Sequence, residues 1–251
     1  MRVAITGKGG SGKTVVAALL ARHLSSGGRR VLAVDLDTNP GLALSLGLRA
    51  ADVVLPDEAV AEREGTPYGW GLADGLTPAE VVHRFAVPVS ERLFFLGFGN
   101  ISGASHPLSR YLTAVRTVAD RFDEPGWATV LDLEAGPATP FEGFARAATL
   151  ALVLVEATPA SVLAAQRIRS ILDHDGTPSG FVAAQVREDA EVAFVAENLE
   201  APLACVPFDP QVRELERRGS LALLPPDSPA AVAIQRLVDS VSESHEEEVP
   251  A

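Results

Sequence analysis

Apolar residues run through this chain in short blocks separated by polar turns. Seven blocks are near-continuous in Val, Leu, Ala and Phe, and they predict strands at Val3–Thr6, Arg30–Asp35, Arg92–Phe98, Ala128–Asp132, Leu150–Val155, Gly180–Ala184 and Ala204–Pro207. A strand reads this way, without alternation, when both faces of its sheet are covered. Between the blocks, polar and apolar positions recur at helical spacing. They predict helices at Thr14–Ser25, Ser109–Arg121, Ser161–His174, Val192–Asn198, Pro210–Gly219 and Ala230–Ser242. Alternating β and α units predict an α/β fold, a doubly wound, mostly parallel sheet with helices on both faces. The Pro/Gly-richer stretch Leu55–Gly75 breaks the rhythm and reads as a surface excursion, followed by a short helix at Pro78–Phe85. No repeat or dividing linker is visible, so residues 1–241 are expected to form one domain. The acidic tail 242–251 is expected to be disordered.

Composition narrows the function classes. With 251 residues and 47% apolar content, the chain can bury a two-sided core. Cys205 is the single cysteine, so an intrachain disulfide and a cysteine-only metal site within one subunit are excluded. No apolar run reaches the about 18–20 residues that span a bilayer. A strand starting near Arg2 leaves no room for a signal peptide, and a reducing, cytoplasmic setting is expected. The net charge of −12 opposes broad binding to DNA or anionic lipid, so neither a nucleic-acid nor a membrane partner is expected.

The densest chemistry is the run Gly7-Lys8-Gly9-Gly10-Ser11-Gly12-Lys13-Thr14, placed between the first strand and the first helix. A glycine-rich turn there lets backbone N–H groups converge on an anion at the positive end of a helix dipole. A nucleotide's phosphates are the expected ligand. Lys13 would reach the β- and γ-phosphates, and the Thr14 hydroxyl would bind Mg²⁺.

Lys8 makes the run more specific. The pattern K-G-G-x-G-K-[ST] resembles the deviant Walker A motif of the ParA/MinD class of dimeric P-loop ATPases. The resemblance implies a homodimer formed on ATP binding, in which Lys8 points at the partner's nucleotide. Charge supplied in trans in this way is worth about 10³–10⁵ in rate. It also implies roles for the ends of two further strands. Asp37 would position the attacking water, and Asp35 would help the Mg²⁺ shell; the alternative for Asp37 is a helix N-cap or Asx turn beside Asn39-Pro40-Gly41. Asp132, closing an apolar strand, would contact Mg²⁺ through water, and Gly136 would let the backbone approach the γ-phosphate and change conformation on hydrolysis. Glu134 between them also reads as an ordinary strand-end acid. For the base, the family often has Asn-Lys or Asn-x-Arg, where this chain has Gln185-Val-Arg187; Gln185 can offer an amide and Arg187 a stacking surface, or both belong to a solvated loop. Pro207-Phe208-Asp209 resembles the family's segment beside the purine.

Among branches of that class, the tract Gly97–Leu112 and the run Asp132-Leu-Glu-Ala-Gly136 resemble the CooC nickel-insertion accessory ATPases of carbon monoxide dehydrogenase. The C-x-C metal motif of that branch is replaced here by Gly103-Ala104-Ser105, which cannot supply soft thiolate ligands. His106 beside it is one imidazole per subunit, a thin site. The Glu-His pair of that branch after switch II is replaced by Pro137–Thr139. The resemblance therefore implies an ATPase switch that acts on an unidentified client protein in its assembly or maturation, with the cargo site lost. A ParA/MinD-type positioning ATPase and a nucleotide-dependent scaffold with negligible turnover are the competing readings.

Overall fold

The near-continuous apolar runs become the buried strands of one sheet. The computed structural model describes residues 1–37, 41–49, 55–66, 69–97 and 109–247. Its strands are β1 (Arg2–Gly7), β2 (Arg30–Leu36), β3 (Val60–Glu62), β4 (Trp70–Leu72), β5 (Val87–Pro88), β6 (Leu93–Leu96), β7 (Trp127–Leu133), β8 (Leu150–Val155), β9 (Ser179–Val186) and β10 (Ala204–Pro207). Its helices are α1 (Lys13–Ser26), α2 (Leu42–Ser45), α3 (Pro78–Phe85), α4 (Ser109–Arg121), α5 (Ala138–Phe141), α6 (Pro159–Asp175), α7 (Asp189–Asn198), α8 (Pro210–Arg217) and α9 (Pro229–Glu247). The main sheet has the order β10-β9-β8-β1-β7-β2-β6-β5. All its neighbours run parallel except β5, which pairs antiparallel with β6 at the edge.

Strand alternation divides the apolar residues between two cores. Ala4, Leu32, Val34, Leu131 and Val153 face one side, which α3, α4, α6 and α7 cover. Val3, Ile5, Val31, Ala33 and Leu152 face the other, against α1, α2, α8 and α9. Because successive side chains point to opposite faces, a strand buried on both sides has few positions for a polar residue before it ends, Thr129 inside β7 being one exception. Polar side chains therefore gather at the C-terminal ends of the strands, where the site lies.

The predicted strands and long helices are present, with ends shifted by a few residues. The stretch read as a surface excursion holds more order than expected. Val60↔Leu72 and Glu62↔Trp70 pair across an antiparallel β3–β4 hairpin, and both Val60 and Leu72 are buried. Arg110 of α4 stacks on Trp70 at 4.8 Å and helps seat the hairpin on the core. The helix α3 begins at a capping box, in which the Thr77 hydroxyl accepts from the Glu80 N–H and the Glu80 carboxylate accepts from the Thr77 N–H. At the other end of the chain, α9 continues through Glu247, so 242–247 are helical where the sequence suggests disorder. Nothing in 242–247 breaks a helix; the next proline is Pro250. No described helix is long and apolar enough to cross a membrane.

Candidate nucleotide site

β1 lies at the centre of the sheet between β7 and β8, and β2 lies beyond β7. This order brings the glycine loop after β1, Asp132 on β7 and Asp35 on β2 side by side at one edge. Ile5 pairs with Asp132 in register, and Asp132 pairs with Asp35.

The loop is shaped for close backbone approach. Gly7 has φ 147, and a Cβ there would lie 2.6 Å from the Leu154 carbonyl oxygen on β8. Gly10 and Gly12 also have positive φ, at 84 and 89, which disfavours any residue with a side chain. Gly12 is the N-cap of α1, and no side chain caps it; the first turn carries no acid. The first N–H groups of α1 are thus left for a ligand, which is how a helix start binds an anion. The Ser11 hydroxyl is buried without a partner among the described residues.

Lys13 enters this cradle. It is buried, and its Nζ lies 3.5 Å from the Lys8 carbonyl oxygen, to which it donates. Burial lowers its pKa, while Asp132, Asp37 and Glu134 pull it back up. Lys8 takes the opposite course. Its side chain is 41% exposed, lies outside the cavity described below, and reaches Glu156 Oε2 at 4.0 Å.

The two buried aspartates differ. Both oxygens of Asp132 are buried with no hydrogen bond among the described residues. Burial pushes its pKa up; the adjacent Thr14 hydroxyl and then Lys13 moderate the shift, and Asp37 adds to it. Asp35 is raised by burial first and then by the charge of Asp132. Its oxygens are occupied, however: Oδ1 accepts the Asp37 N–H and Oδ2 the Leu42 N–H, each at 3.1 Å. Asp35 thus clamps both ends of the segment 37–42, a role its sequence context does not reveal. Residues 38–40, including the predicted Asn39-Pro40 turn, lie outside the described residues.

An unpaired carboxylate beside a threonine hydroxyl and a buried lysine fits a hydrated divalent cation, and the uncapped glycine cradle fits phosphate. Gly136, with φ 88, donates its N–H to the Gly7 carbonyl at 2.9 Å, which ties the segment after β7 to the start of the loop.

From the cradle a cavity of about 600 Å³ extends toward β9, β10 and α8. It is lined by Gly9 to Val16, Asp37, Gln185, Pro207, Phe208 and Asp209, and also by Arg213 and Glu216 of α8. Gly7, Asp35, Asp132, Gly136 and Arg187 are not among its lining residues. The predicted base-side residues are already engaged within the protein. Asp209 caps α8, accepting the Gln211 N–H at 2.9 Å, and its other oxygen accepts the Ala230 N–H of α9 at 3.4 Å. The Arg187 guanidinium stacks on Phe208 at 4.4 Å. Gln185 holds a left-handed backbone, φ 57, at a cost of about 1–2 kcal/mol. Its amide nitrogen donates to the Gly10 carbonyl at 2.6 Å and approaches Glu156 Oε1 at 3.4 Å. Arg213, Glu216 and Glu156 are additions that sequence reasoning misses, since no local motif marks them. The predicted metal-motif position, Gly103–Ser105, and His106 lie outside the described residues.

Comparison with known proteins agrees with this layout. The profile of the CobQ/CobB/MinD/ParA nucleotide binding domain matches residues 3–222. The chain is 30% identical to an uncharacterized ATP-binding protein of Methanocaldococcus jannaschii, over 96% of this chain and 97% of that protein. It is 27% identical to the carbon monoxide dehydrogenase accessory protein CooC of Rhodospirillum rubrum, over 87% of this chain and 88% of that one. In fold it is similar to the cell division ATPase MinD of Pyrococcus furiosus, with a TM-score of 0.73 at 22% identity, covering 97% of this chain and 98% of the other. A family match over residues 3–222, most of the chain and nearly the whole sheet, means that this chain belongs to the CobQ/CobB/MinD/ParA nucleotide-binding domain family.

Proposed function

We propose that this protein is a Mg-ATP-dependent ATPase switch that closes as a homodimer and acts on a client protein during its assembly or maturation. The observation that carries this reading is the divergence of the two loop lysines. Lys13 is buried in the cradle, whereas Lys8, five residues earlier, stands half exposed outside the cavity. A lysine in that place serves its own phosphates poorly and is available to a facing subunit.

In this reading the loop N–H groups and Lys13 hold the phosphates of ATP. Thr14 and Asp132 would hold Mg²⁺, which would supply charge neutralisation at the phosphates. Asp37 accepts a proton from, and so orients, the attacking water. Lys8 of the partner subunit neutralises charge that develops as the terminal phosphoryl leaves. The Gly136 N–H lets go of the Gly7 carbonyl as the segment after β7 changes conformation, and that movement is the output of the switch. A role in client maturation draws on the likeness to CooC; the client-facing surface assigned to Gly103–Ser105 lies outside the described residues. Arg187 and Phe208 flank the adenine end, and Asp35 supports the cation site by holding the segment that carries Asp37.

Mass in solution tests the reading. With Asp37→Ala to retain ATP, the protein is expected to be monomeric without nucleotide and with ADP, and dimeric with Mg-ATP. A mass that ignores nucleotide contradicts the switch. Turnover stimulated by DNA or by anionic vesicles would turn the assignment toward a positioning ATPase.

A further inference from the structure

Three acids act on Lys13, and the proposed reaction uses two of them. Burial works against the Lys13 charge, and Asp132, Asp37 and Glu134, in that order, support it. Asp132 has the cation and Asp37 the water. Glu134 has no task, yet the fold delivers it to the loop. β7 sends Leu131 and Leu133 into one core and Val130 into the other, beside α1. Alternation along the strand puts Asp132 on the α1 face, and Glu134, one residue past the end of β7, leaves the sheet on that same side. Ile5 pairs with Asp132, so β1 and β7 reach Gly7 and Glu134 together. The next two residues lie along the glycine loop. A Cβ on Gly9 would be 3.7 Å from the Ala135 Cβ, and the Gly136 N–H donates to the Gly7 carbonyl at 2.9 Å.

The segment is fixed at both ends and adjustable between them. Leu133 is buried, and so is Phe144, over which the Arg116 guanidinium of α4 stacks at 4.4 Å while it donates to the Glu142 carbonyl. Displacement is therefore taken up between Leu133 and Glu142, where Gly136 holds φ 88.

We propose that Glu134 is a positioning residue through which the segment after β7 senses the terminal phosphate: it is drawn toward Lys13 when that phosphate is absent and pushed away when it is present. This deepens the ATPase reading and rests on it. With a triphosphate bound, Lys13 is engaged by phosphate oxygens, and Glu134 faces negative charge at close range in a partly buried site, where repulsion is poorly screened. The push breaks the bond from Gly136 to Gly7 and frees that N–H for a phosphate oxygen. Once the terminal phosphoryl has left, Glu134 returns to Lys13 and the bond re-forms. A ligand moves a conformational equilibrium only by its difference in affinity for the two states. The work done on the segment is thus drawn from triphosphate binding, and removing the charge returns it as affinity.

Glu134→Gln and Glu134→Ala remove the charge, with and without the length of the side chain; Glu134→Asp keeps it. All three are compared in the Asp37→Ala background, which retains ATP, at one protein concentration. In calorimetric titrations, Glu134→Gln and Glu134→Ala are expected to bind Mg-ATP about three- to tenfold more tightly, and Mg-ADP within about twofold of the Asp37→Ala protein. Glu134→Asp is expected to keep the original ratio of the two affinities. Hydrogen exchange adds a readout that a packing role would not move. The amides of residues 134–142 are expected to exchange at different rates with Mg-ATP and with Mg-ADP when an acid stands at position 134, and at nearly equal rates when none does. An unchanged affinity ratio in the uncharged variants overturns the sensor. So does an equal gain for both nucleotides, an exchange difference that survives loss of the charge, or an Asp variant that behaves as the uncharged ones do. Each of these results leaves the ATPase reading in place. An Asp37→Ala protein that binds neither nucleotide overturns both.

Discussion

The two ends of the cavity are built on opposite principles. At the proposed phosphate end, groups are held ready: no side chain caps the first turn of α1, and among the described residues the Ser11 hydroxyl and the buried Asp132 oxygens have no close hydrogen-bond partner, the Thr14 hydroxyl beside Asp132 acting on it only enough to moderate its pKa. At the base end the polar groups are already in use. Asp209 caps two helices, Arg187 lies on Phe208, and the Gln185 amide braces Gly10. Buried polar groups without partners destabilise a fold, by about 1–3 kcal/mol each. They persist where a ligand completes them. Under the proposed function, recognition energy would be concentrated on phosphate and cation, and the base end would serve first to hold the walls in place.

Three substitutions sharpen or break this contrast. The largest expected effect is on turnover at the phosphate end. Asp37→Ala should lower the rate of phosphate release by about 10²–10⁴-fold, the worth of an aligned proton acceptor, while nucleotide still binds. A near-normal rate in that variant would leave Asp37 as a turn residue only.

The next effect is on stability, and its sign is unusual. Burial raises the Asp132 pKa, so the ionised carboxylate costs the folded state what it does not cost the unfolded chain. Stability should therefore decline as pH climbs above the ordinary carboxylate pKa of about 4 through the raised folded value. Asp132→Asn removes that titration. In nucleotide-free, Mg²⁺-free buffer it should stabilise the protein by about 1–3 kcal/mol at alkaline pH. The gain should shrink toward zero as pH falls to the ordinary carboxylate range. Thermal melts of both proteins across pH measure it, and a destabilised Asn variant at high pH would show that Asp132 is satisfied after all.

The smallest effect belongs to the base end. Asp209→Ala should cost about 1–2 kcal/mol of stability through the lost caps of α8 and α9. It should change ATP affinity by less than about threefold, under 1 kcal/mol. A loss of affinity greater than tenfold, without loss of stability, would move Asp209 from the wall to the ligand and erase the difference between the ends.

The same contrast governs what was legible in the sequence. The phosphate end is local: Gly7 to Thr14 are contiguous, and their chemistry follows from residue type and spacing. The parallel strands were legible because burial on both faces forces unbroken apolar runs such as Leu150–Val155. The β3–β4 hairpin was not, since three-residue strands among Gly and Pro carry no periodicity, and their stability comes from α4 packing on them. The helix through 242–247 was masked by charge, which favours disorder in composition but does not break a helix. At the base end, residue types alone named Gln185 and Asp209 but not their work. Gln185 acts on Gly10, far away along the chain, and Asp209 reaches Ala230 at the start of α9, beyond the whole of α8; such partners are set by tertiary structure. Asp35 shows the same limit inside a recognised motif, since its hold on Leu42 is visible only in the fold.

The central claim, that two subunits share the catalytic charges around one ATP, is tested most directly by phosphate release per subunit as a function of protein concentration, for the parent and for Lys8→Ala. The parent rate should rise with concentration to a plateau, and Lys8→Ala, still binding ATP, should stay about 10³-fold or more below it at every concentration. A parent rate that is independent of concentration down to high dilution, or a Lys8→Ala protein that matches it, would contradict the account.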